Sequence, residues 1–300
     1  MCAASPAKAA PGALWVVGTP IGNLGDITRR AVEALRAADL VVAEDTRRTR
    51  RLLAALGLRR PLLSCHEHNE EERIPGILDR LRAGDHVALA SDAGTPALAD
   101  PGRRLVRRAL EAGLPVRPVP GVSAVTTLLS VAGLPADTFV FAGFLPPRRP
   151  ARLAALRDLA GDPRTLVFFE APHRAPAMLA DAVEVLGGQR PATLGRELTK
   201  IHETLLAGSL AEIRDAMTRA APIRGEITLA VAGAPPAGGA AGAETRPGVD
   251  RLLAALVEGR RLSVRDAAAL VALATGLPRG DTYARALAAR NDSGRGAEED

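Results

Sequence analysis

The sequence predicts an α/β protein of two domains followed by a small helical region, and three observations support this prediction. The chain has 300 residues, a length typical of about two domains. Its first two thirds alternate short apolar runs with segments of helical periodicity, which is the pattern of βαβ units around a mostly parallel sheet. A Gly-, Ala- and Pro-rich segment from Gly233 to Gly248 then separates a part that has helical periodicity only.

The first half of the chain contains five apolar runs, each followed by a helical segment. The runs are short and apolar throughout, which favours parallel strands buried on both faces. The predicted strands are Leu14–Val17, Leu40–Ala43, Leu62–Leu63, His86–Ala90 and one around Val116. The predicted helices are Asp26–Ala37, Thr46–Leu56, Asn69–Arg82, Asp100–Glu111 and Ser123–Val131.

The second half continues this alternation after a segment rich in turn residues, Gly133 to Pro150. Its basic stretch GFLPPRRPAR indicates a domain boundary or a functional loop. The predicted helices are Arg152–Leu159, Arg174–Leu186 and Leu210–Ala220, and the predicted strands are Thr165–Phe169, Ala192–Leu194 and Glu226–Val231. Short helices follow around Val249–Glu258, Ser263–Thr275 and Asp281–Ala289, the second of them with Ser263 as its N-cap.

These elements predict a division of the chain into domains, a linker and tails. We expect an N-terminal α/β domain at 14–125, a second α/β domain at 126–234 and a helical domain at 249–292. We expect loose tails at 1–13 and 293–300 and a flexible linker at 235–248.

Composition narrows the function classes and the compartment. Only 2% of the residues are aromatic, which disfavours a recognition surface of stacked rings. The two cysteines, Cys2 and Cys65, form neither a disulfide framework nor a C-x-x-C motif, and no signal peptide or membrane span is evident, so we expect a cytoplasmic protein. The net charge of +5, with 37 arginines, weakly favours an anionic partner.

Three glycine-containing loops follow predicted strands and are the first candidates for a binding site. They are GTPIGN after the first strand, SDAGTP after the fourth and PGVSA after the fifth. Open parallel sheets bind ligands at the carboxyl ends of their strands, so three such loops predict a small ligand along this edge. None matches a P-loop or the G-x-G-x-x-G fingerprint, and each could also be a simple turn or, with Asp92 or Thr95, a helix cap.

Polar clusters after other strands have weaker interpretations. Glu44 and Asp45 begin a helix, where acids also complement the helix dipole. The pair His66 and His68 could bind a metal, but it lacks a third placed ligand, so we predict no metal site.

Read in order, several longer segments resemble one known family. They are LWVVGTPIGNLGDIT, VVAEDTRRT, HEHNE, ASDAGTPALADPG, PVPGVSAVTTLLSVAGL, GFLPP, FFEAPHR, GRELTKIHE and RGEI. They look like the bacterial small-subunit rRNA methyltransferases I, which 2′-O-methylate a cytidine in the decoding region of 16S rRNA and belong to the tetrapyrrole methylase superfamily. The resemblance covers about Leu14 to Ala234.

The resemblance implies a tetrapyrrole-methylase-like fold, with a parallel-sheet first domain and a mixed-sheet second domain. It also implies S-adenosylmethionine as methyl donor, bound in a cleft between the domains, and a homodimer. Carried over by motif, the residues expected to contact this cofactor are Pro20, Asp92, Ala93, Gly94, Thr95, Ser123, Ala124, Phe169, Gly225 and Thr228.

Methylation of a ribose hydroxyl also calls for a proton acceptor and an RNA-binding surface. The candidate proton acceptors are Glu44, Asp45, His68, Glu70, Glu170 and Glu197, which the sequence does not rank. The candidate contacts to RNA phosphates are Arg47, Arg148, Arg149, His173, Arg174, Arg196 and Lys200.

Two departures from the family pattern and three rival functions remain open at this stage. Arg48 stands where His is expected and Cys65 where an aromatic is usual, and we expect both to affect local packing rather than the cofactor loops. The rivals are a tetrapyrrole C-methyltransferase, a non-catalytic RNA-binding protein with the same fold, and a dehydrogenase. The intact loops and the missing dinucleotide fingerprint disfavour the last two.

Overall fold

The computed structural model describes residues 11–220, 222–235, 246–257, 262–275 and 277–295. The chain forms two compact units, Met1–Ala232 and Gly233–Asp300. The first contains two five-stranded sheets and the second contains helices. The predicted tail 1–13 and linker 235–248 lie mostly outside the described residues.

The first sheet is built from alternating strands and helices, as predicted. Its strands are β1 (Leu14–Val17), β2 (Leu40–Ala43), β3 (Leu62–Ser64), β4 (Val87–Ala90) and β5 (Val116–Val119). Its helices are α1 (Arg29–Ala37), α2 (Thr46–Ala55), α3 (Glu70–Arg82) and α4 (Arg103–Glu111), and a 3₁₀ turn at Leu24–Asp26 precedes α1.

All strand pairs in this sheet are parallel, in the order β3-β2-β4-β1-β5, which confirms the prediction. Strands β2 and β4 are buried at every position because helices cover both faces. One core cluster lies on each face, around Val42 and Leu105 on one side and Val41 and Leu35 on the other. The loops after the strands therefore meet at one edge.

The second sheet is mixed, which confirms the architecture that the resemblance implied. Its strands are β6 (Phe139–Phe144), β7 (Thr165–Glu170), β8 (Pro191–Arg196), β9 (Thr204–Ser209) and β10 (Ile227–Val231), in the order β6-β7-β10-β8-β9. Only β6 and β7 are parallel, whereas the other pairs are antiparallel. Its helices are α6 (Arg149–Leu159), α7 (Ala175–Leu186) and α8 (Leu210–Arg219), and helix α5 (Ala124–Val131) precedes them in the chain. Strands β6 and β9 were not predicted.

Helix α5 (Ala124–Val131) connects the two sheets. Its buried residues Val125 and Leu128 pack in one cluster with Ile21 from the loop after β1 and with Val167 and Ala230 from the second sheet. The boundary predicted between 125 and 126 falls inside this helix. The two sheets therefore share a core at the place where the strand-end loops of the first sheet lie.

The described residues of the second unit form three helices, α9 (Arg246–Val257), α10 (Val264–Thr275) and α11 (Arg279–Arg295). They pack around Val249, Leu253 and Val271. The Ser263 hydroxyl accepts a hydrogen bond from the Asp266 N–H at 3.0 Å, as expected of an N-cap. Helix α11 continues to Arg295 and so includes the first three residues of the tail predicted at 293–300, whereas residues 296–300 lie outside the described residues.

The described residues contain neither a helix that could span a membrane nor a cluster of side chains that could bind a metal ion. Over that part of the chain, helices fall short of the length and apolar character needed to cross a bilayer. Within the same residues, His, Cys, Asp and Glu side chains do not gather in groups of three or more that could hold a metal ion.

Candidate active site

A pocket lies where the strand-end loops of the first sheet face the second sheet. Its volume is about 600 Å³, which is typical of small-molecule sites. The loops after β1, β2 and β4 and the start of α5 form one side, while the ends of β7 and β10 form the other. The lining residues are Ile21, Glu44, Asp45, Arg48, Asp92, Ala93, Gly94, Thr95, Leu98, Ala99, Asp100, Ser123, Ala124, Val125, Phe144, Phe169, Glu170, Ala171, Pro172, Leu198, Glu226, Ile227 and Thr228.

The loops after β1 and β4 hold each other in place. Thr19 and Gly94 exchange backbone hydrogen bonds of 2.9 and 3.1 Å. The Ser91 hydroxyl donates to the Gly94 carbonyl at 2.9 Å, and the Thr19 hydroxyl donates to the Ser91 carbonyl at 3.1 Å. Because Thr19 and Ser91 are buried, these bonds fix the SDAGTP loop at the pocket wall.

Asp92 connects two strand-end loops instead of capping a helix. Its Oδ1 accepts a hydrogen bond from the Asp45 N–H at 3.1 Å, and its Oδ2 lies 3.6 Å from Nη1 of Arg48. Asp45 in turn caps α2, since its Oδ1 accepts the Arg47 N–H at 2.8 Å. These contacts with Arg47 also lower the pKa of Asp45.

The pocket wall is strongly acidic. Within the described chain it carries six carboxylates and one guanidinium, that of Arg48. Burial raises the pKa of Asp100 to about 7, and the carboxylates of Glu44, Asp92 and Glu226 add to the shift. Burial and the charge of Asp92 raise the pKa of Glu44 as well. Such a wall favours a cationic ligand.

Glu170 stands at the end of β7 and is the most deeply buried carboxylate of the pocket. It is 3% exposed, and burial raises its pKa. Its Oε1 accepts the Ala171 N–H at 2.8 Å and lies 3.1 Å from Nε of Arg174. Its Oε2 has no hydrogen-bond partner among the described residues. One oxygen is thus anchored, and the other is buried without a partner among the described residues.

Eight of the ten residues expected to contact the cofactor line this pocket, and the other two do not. Ile21 takes the place at the wall that we predicted for Pro20. Gly225 lies behind the wall at a positive φ of 89°, where a Cβ would come within 2.5 Å of the Glu197 side chain. A side chain at this position would clash with Glu197, which explains why residue 225 is a glycine.

The candidate proton acceptors separate into those at the pocket and those elsewhere. Glu44, Asp45 and Glu170 line the pocket. His68 is exposed outside it, and Glu197 pairs with Lys200 at 2.7 Å. The buried Glu70 accepts the backbone N–H groups of α4 at Gly102 and Leu105, at 3.2 and 3.1 Å, so its position is that of a helix cap.

The candidate RNA contacts separate in the same way. Arg148 and His173 are exposed, and Arg47 is exposed as well but pairs with Asp45 at 3.2 Å. Four others are engaged within the protein: Arg149 with Asp181 and Glu184, Arg174 with Glu170, Arg196 with the Thr204 hydroxyl, and Lys200 with Glu197 and Glu226. Lys200 also packs against Gly22 of the first loop. For these four the structure provides an internal partner in place of a phosphate.

Three charged residues of the pocket were not among the predicted site residues. Arg48 was expected to affect packing away from the cofactor loops, and this was wrong, because it lines the pocket and pairs with Asp92. Its signal was its place one turn after Glu44. Asp100 and Glu226 lie in the motifs ALADPG and RGEI, but nothing in their spacing indicated that they face the same cavity.

Two family matches cover most of the chain. Residues 13–214 match the family of Tetrapyrrole (Corrin/Porphyrin) Methylases. Residues 243–290 match the family described as RsmI C-terminal HTH domain.

Curated relatives and solved structures agree with these matches. The ribosomal RNA small subunit methyltransferase I of Pseudomonas aeruginosa is 47% identical over 92% of this chain and 97% of its own. The protein of the same name from Micromonospora olivasterospora is 47% identical over 96% and 90%. Among solved structures, the fold resembles that of a cobalt precorrin-4 methyltransferase, with a TM-score of 0.56 and 21% identity over 73% of this chain and 94% of that one. The chain therefore belongs to the tetrapyrrole methylases and, within them, to the family of ribosomal RNA small subunit methyltransferases I.

Proposed function

We propose that this protein transfers the methyl group of S-adenosylmethionine to the 2′-hydroxyl of a cytidine in the decoding region of 16S rRNA. The observation that carries the proposal is the acidic pocket, which is built from the motifs that resemble this family. The relatives that are 47% identical over nine tenths of the chain are named ribosomal RNA small subunit methyltransferases I, which supports methylation of small-subunit rRNA.

The residues of the pocket fit this donor. S-adenosylmethionine carries a sulfonium and an ammonium group, and the carboxylates of Asp92, Asp100 and Glu44 supply the opposite charge. Phe144 and Phe169 lie edge to face at 5.7 Å and offer apolar surface to an adenine. When bound, the donor would supply an electrophilic methyl group, from which S-adenosylhomocysteine departs on the side opposite the attacking oxygen. The chain must hold the nucleophile in line with the leaving group, which alone contributes several kcal/mol.

Glu170 takes the proton of the ribose hydroxyl in this proposal. A hydroxyl is a weak nucleophile at neutral pH, so a carboxylate that accepts its proton in the transition state favours the reaction. Arg174 and the Ala171 N–H orient Glu170 through Oε1, which leaves Oε2 for the proton. Glu44 and Asp45 are less suited, because Glu44 belongs to the acid cluster around Asp92 and Asp45 is committed to capping α2.

The rRNA must present a single nucleotide to this pocket. Sequence-specific RNA recognition usually uses unpaired nucleotides whose bases can be splayed out. Arg47 and Arg148 are exposed guanidiniums that can bind the neighbouring phosphates. We assign the HTH-like second unit to the same substrate, and we place the protein in the cytoplasm as a homodimer.

Two observations disfavour the alternatives. The tetrapyrrole C-methyltransferases share the fold at 20–22% identity, whereas the rRNA methyltransferases share nearly half of the residues. The pocket also carries six carboxylates, among them the buried Glu170 proposed as proton acceptor, and a protein that only binds RNA does not need them.

The deciding experiment is transfer of labelled methyl from S-adenosylmethionine to purified small ribosomal subunits that lack the modification. We expect label in 16S rRNA at one cytidine that becomes resistant to alkaline cleavage. Absence of label, with tight binding of the donor, would reject the substrate and favour a tetrapyrrole.

A further inference from the structure

A second cavity of the first unit lies along α4 and is lined by charged side chains only. Its volume is about 360 Å³. We call it the α4 groove, and its lining residues are Glu71, Arg103, Arg104, Arg107, Arg108 and Glu111. The four arginines are exposed, whereas Leu105 and Ala109 on the other side of the helix are buried. The guanidiniums are thus presented to solvent on one face.

The two glutamates do not compensate the four arginines. Glu71 lies 3.5 Å from Arg104, and Glu111 lies 2.7 Å from Arg107 and 3.6 Å from Arg108. Arg103 forms no ion pair among the described residues. Ion pairs at such exposed positions contribute little to stability, so a phosphate can replace the glutamates as partner of the arginines.

Folding alone does not favour this arrangement. Arg103 and Arg107, like Arg104 and Arg108, are like charges four residues apart, which destabilise a helix. Arg103 and Arg104 are also the first two residues of α4, where the helix dipole disfavours positive charge. The α4 groove therefore has the charge arrangement of a site for an anionic ligand.

The α4 groove is close to the pocket along the chain. Asp100 lines the pocket, and Arg103, three residues later, lines the groove. Three residues span at most about 11 Å. A strand that places one nucleotide in the acidic pocket would be repelled there through its phosphates, whereas the adjacent groove attracts them.

We propose that the α4 groove binds the phosphodiester backbone of the rRNA beside the nucleotide that enters the pocket. The planar guanidinium matches the phosphate geometry with two parallel hydrogen bonds. This inference rests on the proposed function, because it names the surface through which the same substrate is held.

The test compares two double variants of the full-length protein. Arg103→Gln/Arg107→Gln neutralises the groove. Arg80→Gln/Arg82→Gln makes the same change of charge at the C-terminal end of α3, about 18 Å along that helix from Glu70. Both arginines are paired there with carboxylates. The readouts are KM and kcat for methylation of small subunits at several salt concentrations, the Kd of S-adenosylmethionine and the melting temperature.

We expect the groove variant to raise KM for the rRNA about tenfold and to reduce the salt slope of log KM by about 1.4, as for two lost contacts to single-stranded RNA. Its Kd for S-adenosylmethionine stays within twofold of the unmodified protein. Arg103→Lys/Arg107→Lys restores most of the KM, since the charge returns. The α3 variant keeps KM and slope.

Equal KM and salt slope in the groove and α3 variants would overturn the inference while the proposed function stands, because the unmodified protein then still methylates rRNA. Failure of the proposed function itself would be recognised by a different result. If the unmodified protein transfers no methyl to rRNA, the proposed function is rejected, and equal binding of an rRNA fragment by the two variants would reject the α4 groove as well.

Discussion

At the scale of single residues, Asp100 ties the stability of the fold to pH. Burial raises its pKa to about 7, with further contributions from Glu44, Asp92 and Glu226, while Arg48 faces the same group of acids through Asp92. Between about pH 4 and 7 Asp100 keeps its proton in the folded chain and loses it in the unfolded chain. The folded state then binds more protons, so the contribution of Asp100 to the free energy of unfolding falls as the pH rises through this window.

The substitution Asp100→Asn should remove this decrease of the free energy of unfolding with rising pH. We expect the variant to gain on the order of 1–2 kcal/mol relative to the unmodified protein between pH 5 and pH 8, a value reduced from the full shift because Asp100 is partly solvated. Urea denaturation at the two pH values measures the difference. Parallel pH dependence in both proteins would show that Asp100 ionises normally.

Glu170 is tested by kinetics. Glu170→Gln keeps the size of the side chain and removes its capacity to accept a proton, so kcat should fall about 100-fold. The Kd of S-adenosylmethionine, measured by calorimetry, should change less than twofold. Glu44→Gln is the matched comparison on the other wall, with the larger effect expected on Kd. A large loss of kcat in Glu44→Gln but not in Glu170→Gln would contradict the role of Glu170 as proton acceptor.

The sequence predicted the residues of the strand-end loops well because backbone position places them. Asp92, Gly94 and Ser123 follow buried strands or begin a helix, so the register of a parallel sheet brings them to one edge. Side-chain pairing was not predictable in the same way. Lys200 lies in a motif that resembles the family, yet its partners Glu197 and Glu226 come together only through the fold.

At the scale of elements, the strands missed by the sequence are both edge strands. A solid apolar run identifies a strand covered on both faces, as in β7 and β10. Strand β6 exposes Phe139 and Phe144 and has an irregular register between Phe141 and Gly143, and β9 alternates between half-buried and exposed positions at its start. Strand β6 was omitted although its sequence FVFAGF is apolar, because it lies inside the turn-rich segment Gly133 to Pro150, and β9 was omitted because its short apolar run ends in Gly208 and Ser209.

Glu70 shows how one side chain of α3 fixes the start of α4. Its buried carboxylate accepts two N–H groups at the α4 N-terminus, where Gly102, the N-cap residue, has no side chain to do so. Glu70→Ala should destabilise the first unit by about 2–3 kcal/mol, because the hydrogen bonds to a charged group are lost in a buried place.

Thermal denaturation of Glu70→Ala beside Glu72→Ala measures this effect. Glu72 is 74% exposed on the same helix, and its replacement should change the free energy of unfolding by less than about 0.5 kcal/mol. Since Glu70 lies outside the pocket lining, the folded fraction of the Glu70 variant should bind S-adenosylmethionine normally. A loss of stability as small as that of the Glu72 variant would contradict the capping role.

At the scale of the whole molecule, negative and positive side chains are gathered at different sites. The net charge of +5 is small for 300 residues, but the pocket carries six carboxylates while the α4 groove carries four arginines. The first arrangement suits a cationic donor and the second an anionic polymer. One protein can thus bind both ligands because their sites carry opposite charge.

The division into two units predicts that binding of the donor and binding of the rRNA can be separated by truncation. All residues that line the pocket lie between Ile21 and Thr228, and the helices of the second unit have a core of their own around Leu253. A chain ending at Pro235 should therefore bind S-adenosylmethionine with a Kd within twofold of the full chain.

The same truncation should raise KM for methylation of small subunits about tenfold, because an HTH-like unit with seven arginines against five acids between Val249 and Asp292 adds contacts to phosphates. Calorimetry with S-adenosylmethionine and steady-state methylation of small subunits check the two halves of this prediction. An unchanged KM would assign the second unit a role other than rRNA binding. Weak donor binding by a truncated chain that melts cooperatively would instead mean that the second unit supports the pocket.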